Sequence, residues 1–365
     1  MSAGRALIAM SGGVDSSVAA ARMLELGYEC IGINMKLYDN ADAGTSSRTC
    51  CSLEDAEDAR RVCDRLGMDF YVSNFTSDFR RCVIDPFLDA YVCGTTPNPC
   101  ISCNRHLKFD RLYARAAELG CDVIVTGHYA RVVRNDSTGE RELHKGLDPA
   151  KDQSYVLYML SQEQLEHVVF PIGELNKEET RELAAKWGFV NAHKADSQDI
   201  CFIPDGDLRS FLRREGVKSP PGDFVTEDGR VLGRHAGICN YTCGQRRGLG
   251  IADEHPWYVQ EIRPASNEVV LSGNEALYAS ELTATDACFT HAAGTPDAEE
   301  FRCRARIRYH HREADATVRM LDGNSFRVTF DEPQRAITPG QAVVLYDGTR
   351  VLGGGTITVR DESDG

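Results

Sequence analysis

Ser11-Gly12-Gly13-Val14-Asp15-Ser16-Ser17 is the string in this chain best suited to holding an anion. It follows an apolar run ending at Ala9-Met10 and opens a stretch of helical periodicity that reaches about Leu26. Two glycines let the backbone approach a phosphate closely, and exposed amides, serine hydroxyls and a helix N-terminus all favour one. A Gly-Gly pair alone is more often a tight turn, but the whole string between strand and helix reads as a phosphate site. It is not a Walker A loop, because no Gly-Lys-Ser/Thr follows, and its glycine spacing is wrong for a dinucleotide fingerprint.

Two cysteine sites come next. Thr96-Pro97-Asn98-Pro99-Cys100-Ile101-Ser102-Cys103-Asn104 carries two prolines and reads as a rigid loop entering a helix near Asn104. A thiol just before a helix N-terminus is stabilised as thiolate, which makes Cys103 a candidate nucleophile. Cys100 and Cys103 have CxxC spacing, compatible with a disulfide or a metal. A zinc ribbon would want a second CxxC, and Cys239 and Cys243 are spaced by three. Cys201 lies in Asp196-Ser197-Gln198-Asp199-Ile200-Cys201-Phe202-Ile203-Pro204, and by itself reads as a packed cysteine beside Ile200 and Phe202.

The elements that must position these groups show in the periodicity. From Arg5 to about His128, apolar strands (Ala6–Met10, Cys30–Met35, Phe70–Val72, Val123–Thr126) alternate with amphipathic helices, including stretches near 78–92 and 104–119. That alternation predicts a doubly wound, Rossmann-like α/β unit with a parallel sheet covered on both faces. Met35 and Gly127 close two of its strands. After Pro204, short Val/Thr/Tyr-rich runs separated by Asp-Gly turns predict antiparallel β structure. The expected division is 1–205 for the α/β unit, 206–277 for a small mostly-β unit and 278–365 for a C-terminal antiparallel β-barrel.

Composition bounds the partners. The 365 residues carry a net charge of -14, which opposes a polyanion on average but not at a local basic face. Phe301-Arg302-Cys303-Arg304-Ala305-Arg306-Ile307-Arg308-Tyr309 alternates strictly, and as a strand would show four arginines on one face. Such a face is usually only solubilising. In so acidic a chain it reads as a phosphate-binding stripe, which Arg246 and Arg247 extend. Fourteen cysteines in a long chain whose first residues read as a strand, not a signal peptide, imply mostly reduced thiols in the cytoplasm. No apolar run approaches the roughly 20 residues of a membrane span. Asp39–Cys51 reads as an excursion after the second strand, and its vicinal Cys50-Cys51 pair has no assigned role.

The glycine string matches SGGxDS, the PP-loop of the ATP pyrophosphatases. Thr-Pro-Asn-Pro ahead of Cys103-Asn104, Gly127-His128-Tyr129, Lys151-Asp152-Gln153-Ser154-Tyr155, Ser197-Gln198-Asp199-Ile200-Cys201-Phe202, Gly244–Gly250 and Thr338-Pro339-Gly340-Gln341 occur in order over nearly the whole chain. Together they resemble the bacterial tRNA-specific 2-thiouridylases. That resemblance implies ATP bound by Ala9, Met10, Ser11, Gly12, Gly13, Val14, Asp15, Ser16, Met35 and Gly127, with Asp15 helping to hold Mg²⁺. It implies adenylation of the C2 oxygen of the wobble uridine in tRNAs for Lys, Glu and Gln. Sulfur would come from a persulfide on Cys201, loaded by a cysteine desulfurase or a relay protein, with Cys103 assisting.

The same resemblance places Asn98, Pro99 and Cys100 in the pocket for a flipped base, Lys151, Asp152, Gln153, Arg308 and Tyr309 against tRNA, and His128 and Gln341 in substrate recognition. A monomer is expected. Many relatives carry Asp where this chain has Cys100, so a [4Fe–4S] cluster on Cys100, Cys103 and Cys201 fits the sequence as well as the persulfide does. A PP-loop amidating ligase and a non-catalytic RNA-binding protein are the more distant readings.

Overall fold

A computed structural model describes residues 3–38, 53–195, 200–291 and 298–358. The Asp39–Cys51 excursion, the Cys50-Cys51 pair and Ser197-Gln198-Asp199 lie outside these residues. None of the described helices is long and apolar enough to cross a membrane.

The first unit runs β1 (Arg5–Ala9), α1 (Val14–Glu25), β2 (Glu29–Lys36), α2 (Leu53–Leu66), β3 (Asp69–Asn74), helical stretches at 76–92 and 99–118, β4 (Val123–Val125), the hairpin β5 (Ala130–Arg134) and β6 (Arg141–Lys145), β7 (Val168–Val169), and the helix Lys177–Lys186. Its sheet has the order β3-β2-β1-β4-β7 and is parallel throughout. Alternate side chains of each strand face opposite layers. Leu7, Ile31 and Ile33 pack toward the stretches 76–92 and 99–118, whereas Ala6, Ile8 and Met10 pack toward α1, α2 and Lys177–Lys186. Leu7 and Ile8 are fully buried, each worth about 1.5–3 kcal/mol in removed apolar surface. The order steps one way from β1 to β2 and the other way to β4, so a crevice opens between their C-terminal ends, where sheets of this kind bind ligands.

Both long helical stretches carry π-turns in the middle, Arg80–Ile84 in one and Asn104–Arg111 in the other. In the first, Pro86 lacks an N–H and its ring presses on the carbonyl four residues back, which widens the preceding turn. The second begins at Pro99, five residues before the expected start. Asn98 caps it, accepting from the Cys100 amide at 3.1 Å, and Pro99 takes the first helical position, where a missing N–H costs nothing.

The central unit holds β8 (Gly222–Val225), β9 (Val231–His235), β10 (Tyr258–Arg263) and β11 (Glu268–Ser272) in the order β10-β11-β8-β9. The unit is mostly β and its hairpins are antiparallel, but β8 and β11 pair in parallel, because the long segment between β9 and β10 carries the chain back across the sheet. The C-terminal unit is a barrel of β12 (Tyr278–Phe289), β13 (Glu300–Arg306), β14 (Ala314–Met320), β15 (Phe326–Arg335), β16 (Ala342–Asp347) and β17 (Arg350–Ile357). Its order is β12-β15-β14-β13-β16-β17, closed by β12 pairing with β17. The β5–β6 hairpin of the first unit joins the same sheet beside β17.

Candidate active site

The glycine string occupies the crevice between β1 and β4. Met10 follows β1, its amide donating to the Ile33 carbonyl and its carbonyl accepting from the buried Asn34 side chain, each at 2.8 Å. Gly12 then turns with φ +77, and a Cβ there would lie 2.2 Å from the Asp55 carbonyl oxygen, so only glycine fits. Gly13 precedes α1, and its carbonyl accepts from the hydroxyls of Ser16 at 3.1 Å and Ser17 at 2.9 Å. With the serines facing inward in this way, the first-turn amides of α1 are left pointing out of the helix start, as an anion requires. Gly127, after β4, packs so closely that a Cβ would stand 2.7 Å from the Asp15 carbonyl carbon and the Ser16 nitrogen. Met35 is nearly buried at the end of β2.

Three residues that sequence reasoning missed hold this loop from outside. Asn191 donates to the Gly12 carbonyl at 2.9 Å, the Gly13 carbonyl at 3.2 Å and Ser17 Oγ at 2.9 Å. Lys194 reaches Asp55 at 2.6 Å, Asp58 at 2.7 Å and the Gly12 carbonyl at 3.3 Å. Burial would lower its ammonium pKa, but the hydrogen bonds to the two carboxylates outweigh burial and raise it. Lys177 lies 2.7 Å from Asp15 Oδ1, and the Tyr129 hydroxyl is 2.9 Å from the same oxygen. Asp15, the carboxylate expected to help hold Mg²⁺, is therefore ion-paired with a lysine and brings little net charge to a cation.

Burial disfavours four cysteines as nucleophiles, pushing Cys30 and Cys243 to about 11 and Cys63 and Cys303 to about 12. Cys100 is exposed in the first turn of the helical stretch 99–118, so the thiol nearest the positive helix end is Cys100, with Cys103 one turn further in. Cys103 and Cys201 are both partly buried against the same apolar cluster. The Cys201 carbonyl accepts from the Tyr38 hydroxyl at 3.1 Å, and Phe202 anchors the segment among Phe79, Phe87 and Phe211. Among the described residues no group of three His, Cys, Asp or Glu side chains could hold a metal ion. No such group therefore supports the [4Fe–4S] reading of Cys100, Cys103 and Cys201.

The loop ahead of Cys100 is gripped by all three units. The Thr96 amide donates to Pro339 at 2.9 Å, its carbonyl accepts from Gln341 Nε2 at 2.7 Å, and its hydroxyl meets Thr242 at 3.3 Å. Gln341 spends its side-chain amide on this junction. Arg308 does likewise, donating to the Cys243 carbonyl at 3.4 Å, the Ala336 carbonyl and the Thr338 hydroxyl.

Asp152 is buried, accepting from Gly146 and Ser154 and facing Arg306 at 3.4 Å. Gln153 and Tyr129 exchange two hydrogen bonds. Lys151 is half-buried beside them. Burial pushes the Tyr309 hydroxyl to about 12, with Asp152 and Cys100 adding to the shift, so Tyr309 and Cys100 lie within electrostatic reach. His128 hydrogen-bonds Thr126 at 2.6 Å between the rings of Phe109 and Phe170, and burial holds its pKa well below 6.5. A neutral imidazole packed in this way favours packing over proton transfer.

Each arginine of the row has a partner within the protein. Arg302 pairs with Asp331 at 2.6 Å, Arg304 lies 3.7 Å from Asp315, Arg306 binds Glu313 at 2.8 Å, and Arg308 is turned into the unit junction. Neighbouring strands and turns supply the carboxylates that neutralise the first three.

Three family models match the chain in sequence: "tRNA methyl transferase HUP domain" over residues 4–205, "tRNA methyl transferase PRC-barrel domain" over 209–273 and "Aminomethyltransferase beta-barrel domain" over 279–357. The chain is 50% identical to the tRNA-specific 2-thiouridylase MnmA of Carboxydothermus hydrogenoformans, covering 98% of each chain. It is 48% identical to the protein of the same name from Geobacter metallireducens, over 97% of this chain and 96% of that one. A solved 4-thiouridine synthetase–RNA complex with bound ATP is 19% identical over 58% of this chain and 50% of that one, at a TM-score of 0.35, too loose a likeness to argue from. Its sequence motifs, its three matched units and its near full-length relatives place this chain in the tRNA-specific 2-thiouridylase family.

Proposed function

We propose that the chain uses ATP to replace the C2 oxygen of the wobble uridine of tRNAs for Lys, Glu and Gln with sulfur. The observation that carries this reading is the phosphate cradle of Gly12, Gly127 and the start of α1, in a chain close to relatives named as thiouridylases. The uridine O2 attacks the α-phosphorus, the bond to the β-phosphate side breaks, pyrophosphate leaves and the N3 proton goes to solvent. Adenylation is needed because a uridine carbonyl is a poor electrophile until its oxygen becomes a leaving group.

The terminal sulfur of a Cys201 persulfide, loaded by a cysteine desulfurase or relay protein, then attacks C2. The C–O bond breaks and the oxygen departs with AMP. Cys103 attacks the Cys201 sulfur, the S–S bond breaks toward the thiouridine, and a Cys103–Cys201 disulfide remains for an external dithiol to reduce. Asn98, Pro99, Cys100, Lys151 and Tyr309 line the base pocket, while Asp152, Gln153, Arg308 and Gln341 hold those residues from behind. Among the described residues no metal-holding group supports a [4Fe–4S] cluster, and no step here is routed through one.

The test is tRNA-dependent ATP–pyrophosphate exchange together with nucleoside mass analysis. Cys201→Ser should keep the exchange and form no 2-thiouridine. An exchange that ignores tRNA, or a Cys201→Ser variant that still thiolates, defeats the proposal.

A further inference from the structure

The nucleotide loop contains no lysine, yet one stands over it. Lys177 opens the helix Lys177–Lys186, with its Nζ 2.7 Å from Asp15 Oδ1 and 5.8 Å from the centre of the Tyr129 ring. Asp15 belongs to the first turn of α1, and Tyr129 to the segment after β4. The ammonium therefore sits in the β1–β4 crevice, with its side chain only 13% exposed. Lys194, the other lysine at the loop, is committed to two carboxylates and to the back of Gly12. Lys177 pairs with Asp15, and the phosphates of a nucleotide would offer it more negative charge than that carboxylate does.

We propose that Lys177 is a catalytic residue of the adenylation step, moving from Asp15 to the phosphate oxygens of ATP; this rests on the ATP reading above. As the substrate oxygen bonds to the α-phosphorus, the bond from that phosphorus to the α,β-bridging oxygen breaks and the electron pair stays on the departing pyrophosphate. A cation fixed beside that oxygen stabilises the charge where it develops. A Walker A loop obtains this from its own lysine. Here the lysine arrives from 162 positions along the chain.

The experiment compares Lys177→Met and Lys177→Arg in the full-length protein. It reads tRNA-dependent ATP–pyrophosphate exchange, equilibrium binding of ATP and of AMP, and the melting temperature without nucleotide. Lys177→Met should lose about 10²-fold in kcat/KM for exchange. It should bind ATP about tenfold more weakly while keeping its affinity for AMP, and arginine should restore part of both losses. Wild-type exchange in Lys177→Met overturns the proposal. So does an equal loss of ATP and AMP affinity with a lowered melting temperature, which would make Lys177 a structural neutraliser of Asp15. Should the wild-type protein itself show no tRNA-dependent exchange, the underlying reading fails, and the ATP-to-AMP binding ratio of Lys177→Met still decides for or against Lys177.

Discussion

Replacing Gly127 by alanine puts one methyl group against the first turn of α1. Its Cβ would lie 2.7 Å from the Asp15 carbonyl carbon and the Ser16 nitrogen, where ordinary contact begins at 3.4 Å, so about 0.7 Å must be found. Neither neighbour is a side chain that can rotate away. The α1 start is pinned by Asn191, and the 126–129 segment by Tyr129 and Gln153. Overpacking of this kind costs about 1–3 kcal/mol, and each kcal/mol lowers Tm by roughly 2–4 °C in a unit of this size. Relief comes by shifting the first-turn amides of α1, which the proposed site turns toward the phosphates. Because a misplacement of about 1 Å costs about 10²-fold, kcat/KM for ATP should fall by about 10- to 100-fold with tRNA affinity unchanged. Exchange assays, thermal melts and filter binding read these quantities. A Gly127→Ala protein with wild-type exchange and Tm would refute the packing argument.

Three more outcomes are expected. Arg308→Met removes a charged donor from the junction of the central unit and the barrel; at about 1.5–3 kcal/mol for hydrogen bonds to a charged group, it should lower the urea midpoint and raise KM for tRNA more than it changes kcat. Glu313→Gln breaks an ion pair in which Glu313 is 5% exposed and bridges Lys145 to Arg306; a loss of about 3 kcal/mol should appear as faster proteolysis at the barrel contact. His128 titrates below its unfolded value, so its contribution is complete above pH 6.5 and is lost as pH falls, by up to about 1.4 kcal/mol per unit. His128→Asn should flatten the stability profile between pH 6.5 and 5, and an unchanged slope would show that His128 protonates freely in the fold.

The nucleotide loop was legible because its signal is local: glycines, serines and an acid at one strand-to-helix turn. Lys177 and Lys194 gave no such signal. Lys177 follows Asn176 in an ordinary capping box with Glu179, and only packing beside α1 turns it toward Asp15. The ion pairs of the arginine row were hidden for a different reason. Alternation assigned the faces correctly, but the acids that neutralise them, Asp331, Glu313 and Asp315, come from other segments brought close by pairing. The helix start at Pro99 could have been read, since Asn-Pro is a cap followed by a first-turn proline; two prolines in nine residues pointed instead to a loop.

The β5–β6 hairpin belongs to the first unit by sequence and to the barrel by pairing: His144 stands opposite Arg350, and the Lys145 amide donates to Thr349 at 2.9 Å. The barrel is therefore not a detachable cassette. A chimaera taking its last eighty-odd residues from a relative would inherit a mismatched seam unless residues 130–145 travelled with them.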